Sequence, residues 1–284
     1  MQALWMLAST LMFSIMGASI KMASEHQVTL AEIIVMRGLP SIVLLLFWAR
    51  ANGLSLRPAR WQPHFWRNVS GIGSMWTGFY AVSQLPLATA TTLSYTAPLF
   101  IAGYMLGWGG ARRDGLRIFA VLLGFAGVLA VLRPAINPEQ WLAALLGLSA
   151  GALGAVSQLQ IRSLGRLGEP AWRVVLFFSI CTCLSGAAVL LAQGWHMPSP
   201  KGWMALAILG VSGLGGQLAL TRAYGGGSAL LSAALQYTII IFASILGFLL
   251  WGDRPDAIAA GGMVLIVGAS VLSVWCTVRG NRAL

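Results

Sequence analysis

The stretch Val69-Ser70-Gly71-Ile72-Gly73 recurs as Val211-Ser212-Gly213-Leu214-Gly215, displaced by 142 residues along the chain. The same displacement aligns Tyr95-Thr96 with Tyr237-Thr238 and leaves 12 of the 46 positions from 69 to 114 identical. Self-similarity over this length indicates an internal repeat. The sequence therefore predicts two related halves, residues 1–138 and 139–284.

The composition around the repeat indicates a membrane protein. Of the 284 residues, 58% are hydrophobic and only 9% are charged, with a mean hydropathy of +0.80. A soluble domain carries about 25% charged residues, so the lipid bilayer is the expected surrounding. Apolar windows of about 20 residues, the length of a bilayer-crossing helix, predict ten transmembrane helices. They are roughly 2–22, 31–48, 68–84, 87–107, 116–132, 140–160, 174–192, 203–222, 229–250 and 257–276.

The basic residues predict the orientation of these helices. With the N-terminus in the cytoplasm, 13 of the 18 lysines and arginines fall in cytoplasmic segments, including Arg67 and Arg173. Because such residues concentrate in cytoplasmic loops, we expect both termini in the cytoplasm. We also expect these arginines to set the topology rather than to bind a ligand. The net charge of +11 then needs no nucleic-acid partner.

The number of helices in each half determines how the halves are related. Five helices, an odd number, make the second half enter the membrane from the opposite side to the first. The expected fold class is therefore all-α integral membrane, with ten helices as two inverted five-helix repeats. Inverted repeats are typical of secondary transporters, whose site near the membrane midplane faces one side and then the other.

Several segments carry a resemblance to a known family. They are Met36-Arg37-Gly38-Leu39, Leu85-Pro86-Leu87-Ala88-Thr89-Ala90, Tyr95-Thr96-Ala97-Pro98-Leu99, Ala223-Tyr224 and Ser228-Ala229-Leu230. Over essentially its whole length, the chain resembles the EamA-type proteins of the drug/metabolite transporter superfamily. The resemblance implies a ten-helix carrier with a central cavity, lined mainly by the first, third, fourth, sixth, eighth and ninth helices.

Polar and aromatic side chains that share a helical face are the candidates for substrate binding. The fourth helix places Thr91, Tyr95 and Pro98 on one stripe. Pro98 is expected to kink this helix, while Thr91 and Tyr95 either bind polar groups of a substrate or pack between helices. The third helix presents Trp76 and Tyr80, which either face the cavity or belong to the aromatic belt at the membrane interface.

The second half contributes amides to the predicted cavity. Gln158 lies in the sixth helix, Gln217 in the eighth, and Gln236 with Tyr237 in the ninth. Buried amides in a membrane need hydrogen-bond partners. Those partners are either a substrate or a neighbouring helix.

Two ionisable residues of the second helix are predicted to have functional roles. Arg37 lies about six residues, or roughly 9 Å, inside its helix. A charge at such a depth is costly and indicates a site facing a cavity; hydrogen bonding to a broken helix, or snorkelling to the interface, are the alternatives. Glu32, near the outer end of the helix, is the candidate carrier of a coupling proton.

These features together favour a secondary active or facilitative transporter in a bacterial inner membrane. The aromatic and amide-rich candidates favour a small neutral or zwitterionic, partly apolar metabolite, such as an amino acid, a vitamin or a nucleoside-like compound. Export is the preferred direction by family resemblance. We expect no enzymatic activity, cofactor or metal. The alternatives are an integral-membrane enzyme acting on lipid-linked substrates, and a channel or structural subunit.

Overall fold

The protein is represented by a computed structural model. It describes residues 2–97, 99–100, 119, 122–124, 126–127, 130, 140–225, 235–236, 238–254 and 256–282, with the side chains of a few of these left out. The predicted fifth helix, 116–132, lies largely outside the described residues. Pro98, where the sequence predicts a helix kink, and Tyr237, a predicted substrate-binding residue, also lie outside them.

The described residues form helices and contain no strand. The helices are α1 (Gln2–Glu25), α2 (Leu30–Ala51), α3 (Trp61–Gln84), α4 (Leu87–Ser94), α5 (Trp141–Arg166), α6 (Ala171–Gln193), α7 (Pro200–Gly225), α8 (Thr238–Trp251) and α9 (Ala257–Arg282). Among these, α1, α2, α5, α6 and α7 are long and apolar enough to cross a membrane, and α8 is a shorter apolar helix. The all-helical membrane class is confirmed, whereas the count of ten and the orientation stay predictions.

Helix α2 shows how local sequence sets the start and the packing of a helix. Thr29 and Glu32 form a capping box: Thr29 N donates to Glu32 Oε2 at 2.8 Å, and Glu32 N donates to Thr29 Oγ1 at 3.4 Å. Further along, Pro40 has no N–H to donate to the carbonyl four residues earlier, that of Met36. A Cβ on Gly210 of α7 would lie 2.7 Å from Pro40 Cγ. Only a glycine therefore lets α7 approach α2 this closely.

Two antiparallel helix pairs form the centre of the bundle. In the first, α1 packs on α7, where Ser9 Oγ donates to the Gly216 carbonyl at 2.9 Å. In the second, α3 packs on α5, where Ser74 Oγ donates to the Ala150 carbonyl at 2.8 Å. Glycines permit both close approaches, as is common between membrane helices.

The helix pairs are related by the displacement seen in the sequence. Ser9 and Ala150 are 141 residues apart, and Ser74 and Gly216 are 142 apart, so each hydrogen bond is the counterpart of the other. By the same displacement, α2 corresponds to α6 and α3 to α7. The counterpart of the α2–α7 pair is therefore the α3–α6 pair, and both pairs are in contact. The α2–α6 pair maps onto itself. The packing therefore has an approximate two-fold pattern.

The N-terminal ends of α2 and α6 are fastened at equivalent positions by opposite charges. Glu32 Oε1 accepts from the His196 backbone N–H at 2.7 Å, in the loop between α6 and α7. Arg173 Nη2 donates to the Ser55 carbonyl at 2.7 Å, in the loop between α2 and α3. Both residues of one contact lie 141 positions from those of the other. A carboxylate thus binds a backbone donor where its counterpart, a guanidinium, binds a backbone acceptor.

Candidate functional site

A cavity of about 180 Å³ lies at the centre of the bundle. Its walls come from α1, α3, α4, α5, α7 and α8, with Arg37 from α2 and Phe178 from α6. Much of the wall is apolar, including Phe13, Met16 and Phe79. This arrangement encloses a space where a small solute would meet both apolar surface and a few polar groups.

Arg37 lies in this cavity, as the sequence predicts. The residue is 4% exposed, so its side chain does not snorkel to the interface. Its Nη2 donates to Gln217 Oε1 at 3.1 Å, and its guanidinium carbon lies 5.0 Å from the centroid of the Phe178 ring. Its Nε is buried and has no hydrogen-bond partner among the described residues.

Arg67 is a second buried cation in the cavity, and the expectation that it lies outside the third helix is wrong. Helix α3 begins at Trp61, about two turns earlier than predicted, which brings Arg67 into the bundle at 2% exposure. Its guanidinium carbon lies 3.8 Å from the Phe178 ring centroid. In the described part of the chain, its Nε and Nη1 are buried without a hydrogen-bond partner. Arg67 stands four residues, about one helical turn, before Gly71 of the recurring stretch. This spacing is the sequence feature that could have placed Arg67 in the helix and on the same face as Gly71.

Amide side chains line the cavity from the second half of the chain. Gln158, Gln217 and Gln236 all contribute to its wall. Tyr224, which was not predicted as a site residue, donates its hydroxyl to Gln236 Oε1 at 2.6 Å and lies 3.4 Å from Gln158 Oε1. The two alternatives predicted for these amides, binding a substrate and hydrogen bonding to a neighbouring helix, are compatible. The same side chains form hydrogen bonds between helices and line the cavity.

Thr91 of α4 and Tyr95, directly after this helix, are placed differently from the aromatic residues of α3. Thr91 and Tyr95 line the cavity, whereas Trp76 and Tyr80 are not part of its wall. Trp76 Nε1 instead donates to Ser185 Oγ on α6 at 3.2 Å, so this side chain bridges two helices. The cavity-facing stripe of α3 includes Gly71, Met75 and Gly78, and a helix turns 100° per residue, which directs Trp76 away from the cavity.

Glu32 is placed at the end of α2 rather than in the cavity. Its carboxylate is fully buried, where it accepts from the backbone N–H groups of Thr29 and His196. Its predicted role in carrying a coupling proton stays a prediction. Within the described part of the chain, no carboxylate lines the cavity, and no group of three metal-ligating side chains occurs.

Glu169 forms a separate polar cluster in the turn between α5 and α6. Its Oε2 accepts from Ala59 N at 3.1 Å and its Oε1 from Arg173 Nη1 at 2.9 Å, with His64 Nε2 at 3.4 Å. Burial raises the pKa of Glu169, but these hydrogen bonds and the neighbouring cation outweigh burial and hold the pKa below its usual value. The cluster therefore holds an ionised carboxylate that ties the α2–α3 loop to this turn.

Known proteins similar to this chain are transporters. A crystal structure superposes with a TM-score of 0.66 at 20% identity, covering 94% of this chain and 96% of the other, which shows the fold alone. The pseudopaline exporter CntI of Pseudomonas aeruginosa is 29% identical over 260 residues, covering 91% of this chain and 90% of that protein. An S-adenosylmethionine uptake transporter of Rickettsia bellii is 24% identical, covering 83% and 80%.

A family model matches almost the whole chain and does so in two consecutive pieces, residues 1–133 and 138–275. The model is that of the EamA-like transporter family. This match agrees with the helical membrane fold and with the central cavity. The chain is therefore a multi-pass membrane protein that belongs to the EamA-like transporter family, within the drug/metabolite transporter type.

Proposed function

We propose that this protein is a secondary carrier that moves a small, partly apolar organic metabolite by alternating access. The central cavity carries this proposal, because it is enclosed by helices from both halves of the chain and combines apolar walls with a few polar groups. Small-molecule sites in proteins have this composition. The neutral or zwitterionic solutes expected from the sequence are the starting class, and an enzymatic role is not proposed.

We further propose ten helices in two inverted repeats, residues 1–138 and 139–284, with both termini in the cytoplasm. The paired contacts Ser9–Gly216 and Ser74–Ala150 support the repeat, as does the two-part family match. The antiparallel packing of α2 on α6 supports its inversion, since Gly38 contacts Cys183 while Gly186 contacts Ala31. Inverted halves of near-equal packing can exchange roles as the cavity opens to one side and then the other.

We propose export across the inner membrane of a bacterium as the physiological direction. The relative of 29% identity is a named exporter, whereas the Rickettsia relative is a named uptake transporter. Direction in a carrier follows the solute and ion gradients rather than the fold. A proton, with Glu32 as its first candidate carrier, is the proposed coupling ion.

Cysteine labelling in proteoliposomes tests the proposal. Cys181, Cys183 and Cys276 are first replaced by serine, and Ser94→Cys is then introduced, because Ser94 lines the cavity and its Oγ has no hydrogen-bond partner among the described residues. We expect saturable flux of at least one solute from a metabolite library. We also expect a bulky, membrane-impermeant thiol reagent to block that flux from either side of the membrane.

The matched control is Ser55→Cys, in the exposed loop between α2 and α3. This cysteine should react from one side only and leave flux unchanged. Absence of flux for every solute, or ohmic conductance that does not saturate, would contradict the carrier proposal. Labelling of Ser94→Cys from a single side under all gradients would contradict alternating access.

A further inference from the structure

We infer that Arg37 and Arg67 form a paired guanidinium site that binds a carboxylate of the transported solute. The inference rests on the proposed carrier function and narrows its substrate class. A zwitterion or an organic anion then fits the cavity, whereas a neutral solute without an acidic group does not. The argument depends on the distances, burial and charge of these two side chains.

The two guanidinium groups share one aromatic ring. Their carbons lie 5.0 and 3.8 Å from the Phe178 centroid, so the two carbons are separated by no more than the sum of those distances, about 9 Å. A carboxylate has two acceptor oxygens, and guanidinium groups present planar sets of donors that match them. A single carboxylate between the pair can therefore accept hydrogen bonds from both arginines.

Donors that point to such a ligand are already in place. Nε of Arg37 and Nε and Nη1 of Arg67 are buried and have no hydrogen-bond partner in the described part of the chain. Gln217 supplies Arg37 with one neutral acceptor. A buried charge without a countercharge is costly, so two adjacent ones indicate that an anion completes the site.

The five acidic residues of the described part of the chain lie outside the cavity wall, and four of them have the following partners. Glu25 accepts from Trp251, Glu32 from Thr29 and His196, Glu169 from Ala59 and Arg173, and Asp253 from Lys21. These contacts lie near helix ends and in loops, and none of these four carboxylates lines the cavity. Within the described residues, no carboxylate therefore neutralises Arg37 or Arg67, and their positive charge is available to a ligand.

Gly71 and Gly213, which occupy equivalent positions in the repeat, leave space for the two arginine side chains. A Cβ on Gly71 would collide with Arg67 Nη1 and would lie 2.9 Å from a Phe178 ring carbon. A Cβ on Gly213, the counterpart of Gly71 in the repeat, would lie 3.2 Å from Arg37 Cγ. Each copy of the stretch that defines the repeat thus leaves space for one arginine side chain.

The remaining wall fits the body of an amphipathic carboxylate. Apolar side chains such as Phe13, Met75 and Phe79 surround part of the space, and Gln158 and Gln236 offer neutral polar groups. A cationic solute without an acidic group would meet two like charges. The site therefore selects for a carboxylate attached to a small, partly apolar body.

Matched pairs of probes test the inference on the detergent-purified protein. We would measure the melting temperature with benzoate against benzamide, N-acetylphenylalanine against its amide, and phenylalanine against phenylalaninamide. At least one carboxylate should raise the melting temperature more than its amide does, because ligand binding to the folded state stabilises it. In Arg37→Gln and Arg67→Gln the affinity for that carboxylate should fall about 10- to 100-fold, as expected for loss of a charge-assisted hydrogen bond.

Arg50→Gln is the matched control, since Arg50 is exposed at the end of α2 and does not line the cavity. Its affinity for the carboxylate should equal that of the wild type. Equal stabilisation by carboxylates and amides, or unchanged affinity in both cavity variants, overturns the inference. Flux of a non-acidic solute in proteoliposomes would then leave the carrier function standing, whereas absence of flux for all solutes would reject that function instead.

Arg67→Met separates a ligand-binding arginine from a structural one. Methionine fills a similar volume without a buried charge, and replacing a buried, poorly compensated charge by an apolar group is often neutral or stabilising. The melting temperature without ligand should therefore stay equal or rise, while the response to the carboxylate is lost. A fall in the melting temperature together with a retained response overturns the inference.

Discussion

The two halves of the chain contribute different chemistry to one cavity. Residues before 100 supply both cations, Arg37 and Arg67, whereas residues after 140 supply the amides Gln158, Gln217 and Gln236. Arg37 and Phe178 occupy equivalent positions, 141 residues apart, and contact each other across the cavity. At equivalent positions of the repeat, the first half thus has a cation and the second half has the aromatic ring that this cation contacts.

This difference separates two roles of the repeat. Contacts between backbones and small residues are duplicated, as in Ser9–Gly216 and Ser74–Ala150. The arginine and amide side chains of the cavity wall are not duplicated, since Arg37 aligns with Phe178 and Gln217 with Met75. Near-equal packing suits the proposed alternating access, and an asymmetric wall suits the proposed binding of a solute with distinct acidic and apolar ends in one orientation.

The largest expected effect comes from introducing a carboxylate beside Arg37. In Gln217→Glu the new carboxylate would accept from Arg37 Nη2, which now donates to the amide at 3.1 Å. We expect carboxylate affinity to fall about 100-fold, because loss of charged hydrogen bonds costs about 1.5–3 kcal/mol, while the melting temperature without ligand rises. Titration of the probe in a thermal-shift assay measures both.

Gln236→Glu is the comparison for that variant. Its new carboxylate would accept from Tyr224 OH, which donates to Gln236 Oε1 at 2.6 Å in the wild type, rather than from a cation. A buried carboxylate without a countercharge should lower the melting temperature. If the two variants were equally stable, the carboxylate of Gln217→Glu would gain nothing from Arg37, and Arg37 would not be a cation that lacks a countercharge.

A second prediction compares the two repeat-related glycines. Gly71→Ala should displace Arg67 and lower carrier flux about tenfold or more, as expected when a positioned group moves by about 1 Å. Gly213→Ala should reduce flux much less, because its Cβ would lie 3.2 Å from Arg37 Cγ and 3.4 Å from Met16 Sδ, both in flexible side chains. Initial rates of flux in proteoliposomes measure the ratio, and equal losses would contradict an asymmetric cavity.

A third, smaller effect distinguishes the fastened ends of α2 and α6. Glu32→Ala removes a fully buried carboxylate and leaves the part-buried N–H groups of Thr29 and His196 without this acceptor, which should cost about 1–3 kcal/mol of stability. Arg173→Lys keeps a cation beside Glu169 and leaves the exposed Ser55 carbonyl to water, so we expect a cost below about 1 kcal/mol. Unfolding in detergent measures both, and the reverse order would contradict the comparison.

The smallest effect is the pH dependence contributed by Glu169. Its pKa in the folded protein lies below the usual value, so its contribution to stability is complete above the usual carboxyl pKa. That contribution is lost as the pH falls through the lowered pKa. The melting temperature of Glu169→Gln should therefore decline less steeply on acidification than that of the wild type, and parallel declines would contradict this assignment.

The sequence predicted part of the cavity correctly, and its failures have physical causes. Arg37, Thr91, Tyr95 and the three glutamines line the cavity, because each interrupts an apolar helix that must satisfy it internally. Arg67 was assigned to a loop because a hydropathy window ends at a charged residue, whereas α3 begins at Trp61 and continues through it. The aromatic residues of α3 leave two placements for Trp76, the cavity and the aromatic belt at the membrane interface, because neither pattern shows that this side chain donates to Ser185 of α6.

The chain's own sequence determined the membrane class, the positions of most helices and the internal repeat. Composition and periodicity are local properties, and a duplicated pattern can be read without coordinates. Only the tertiary structure decided that Arg37 and Arg67 meet over Phe178, and that the carboxylates described lie elsewhere. Which charges become neighbours depends on how α2, α3 and α6 pack against one another, and that packing joins residues more than 100 positions apart.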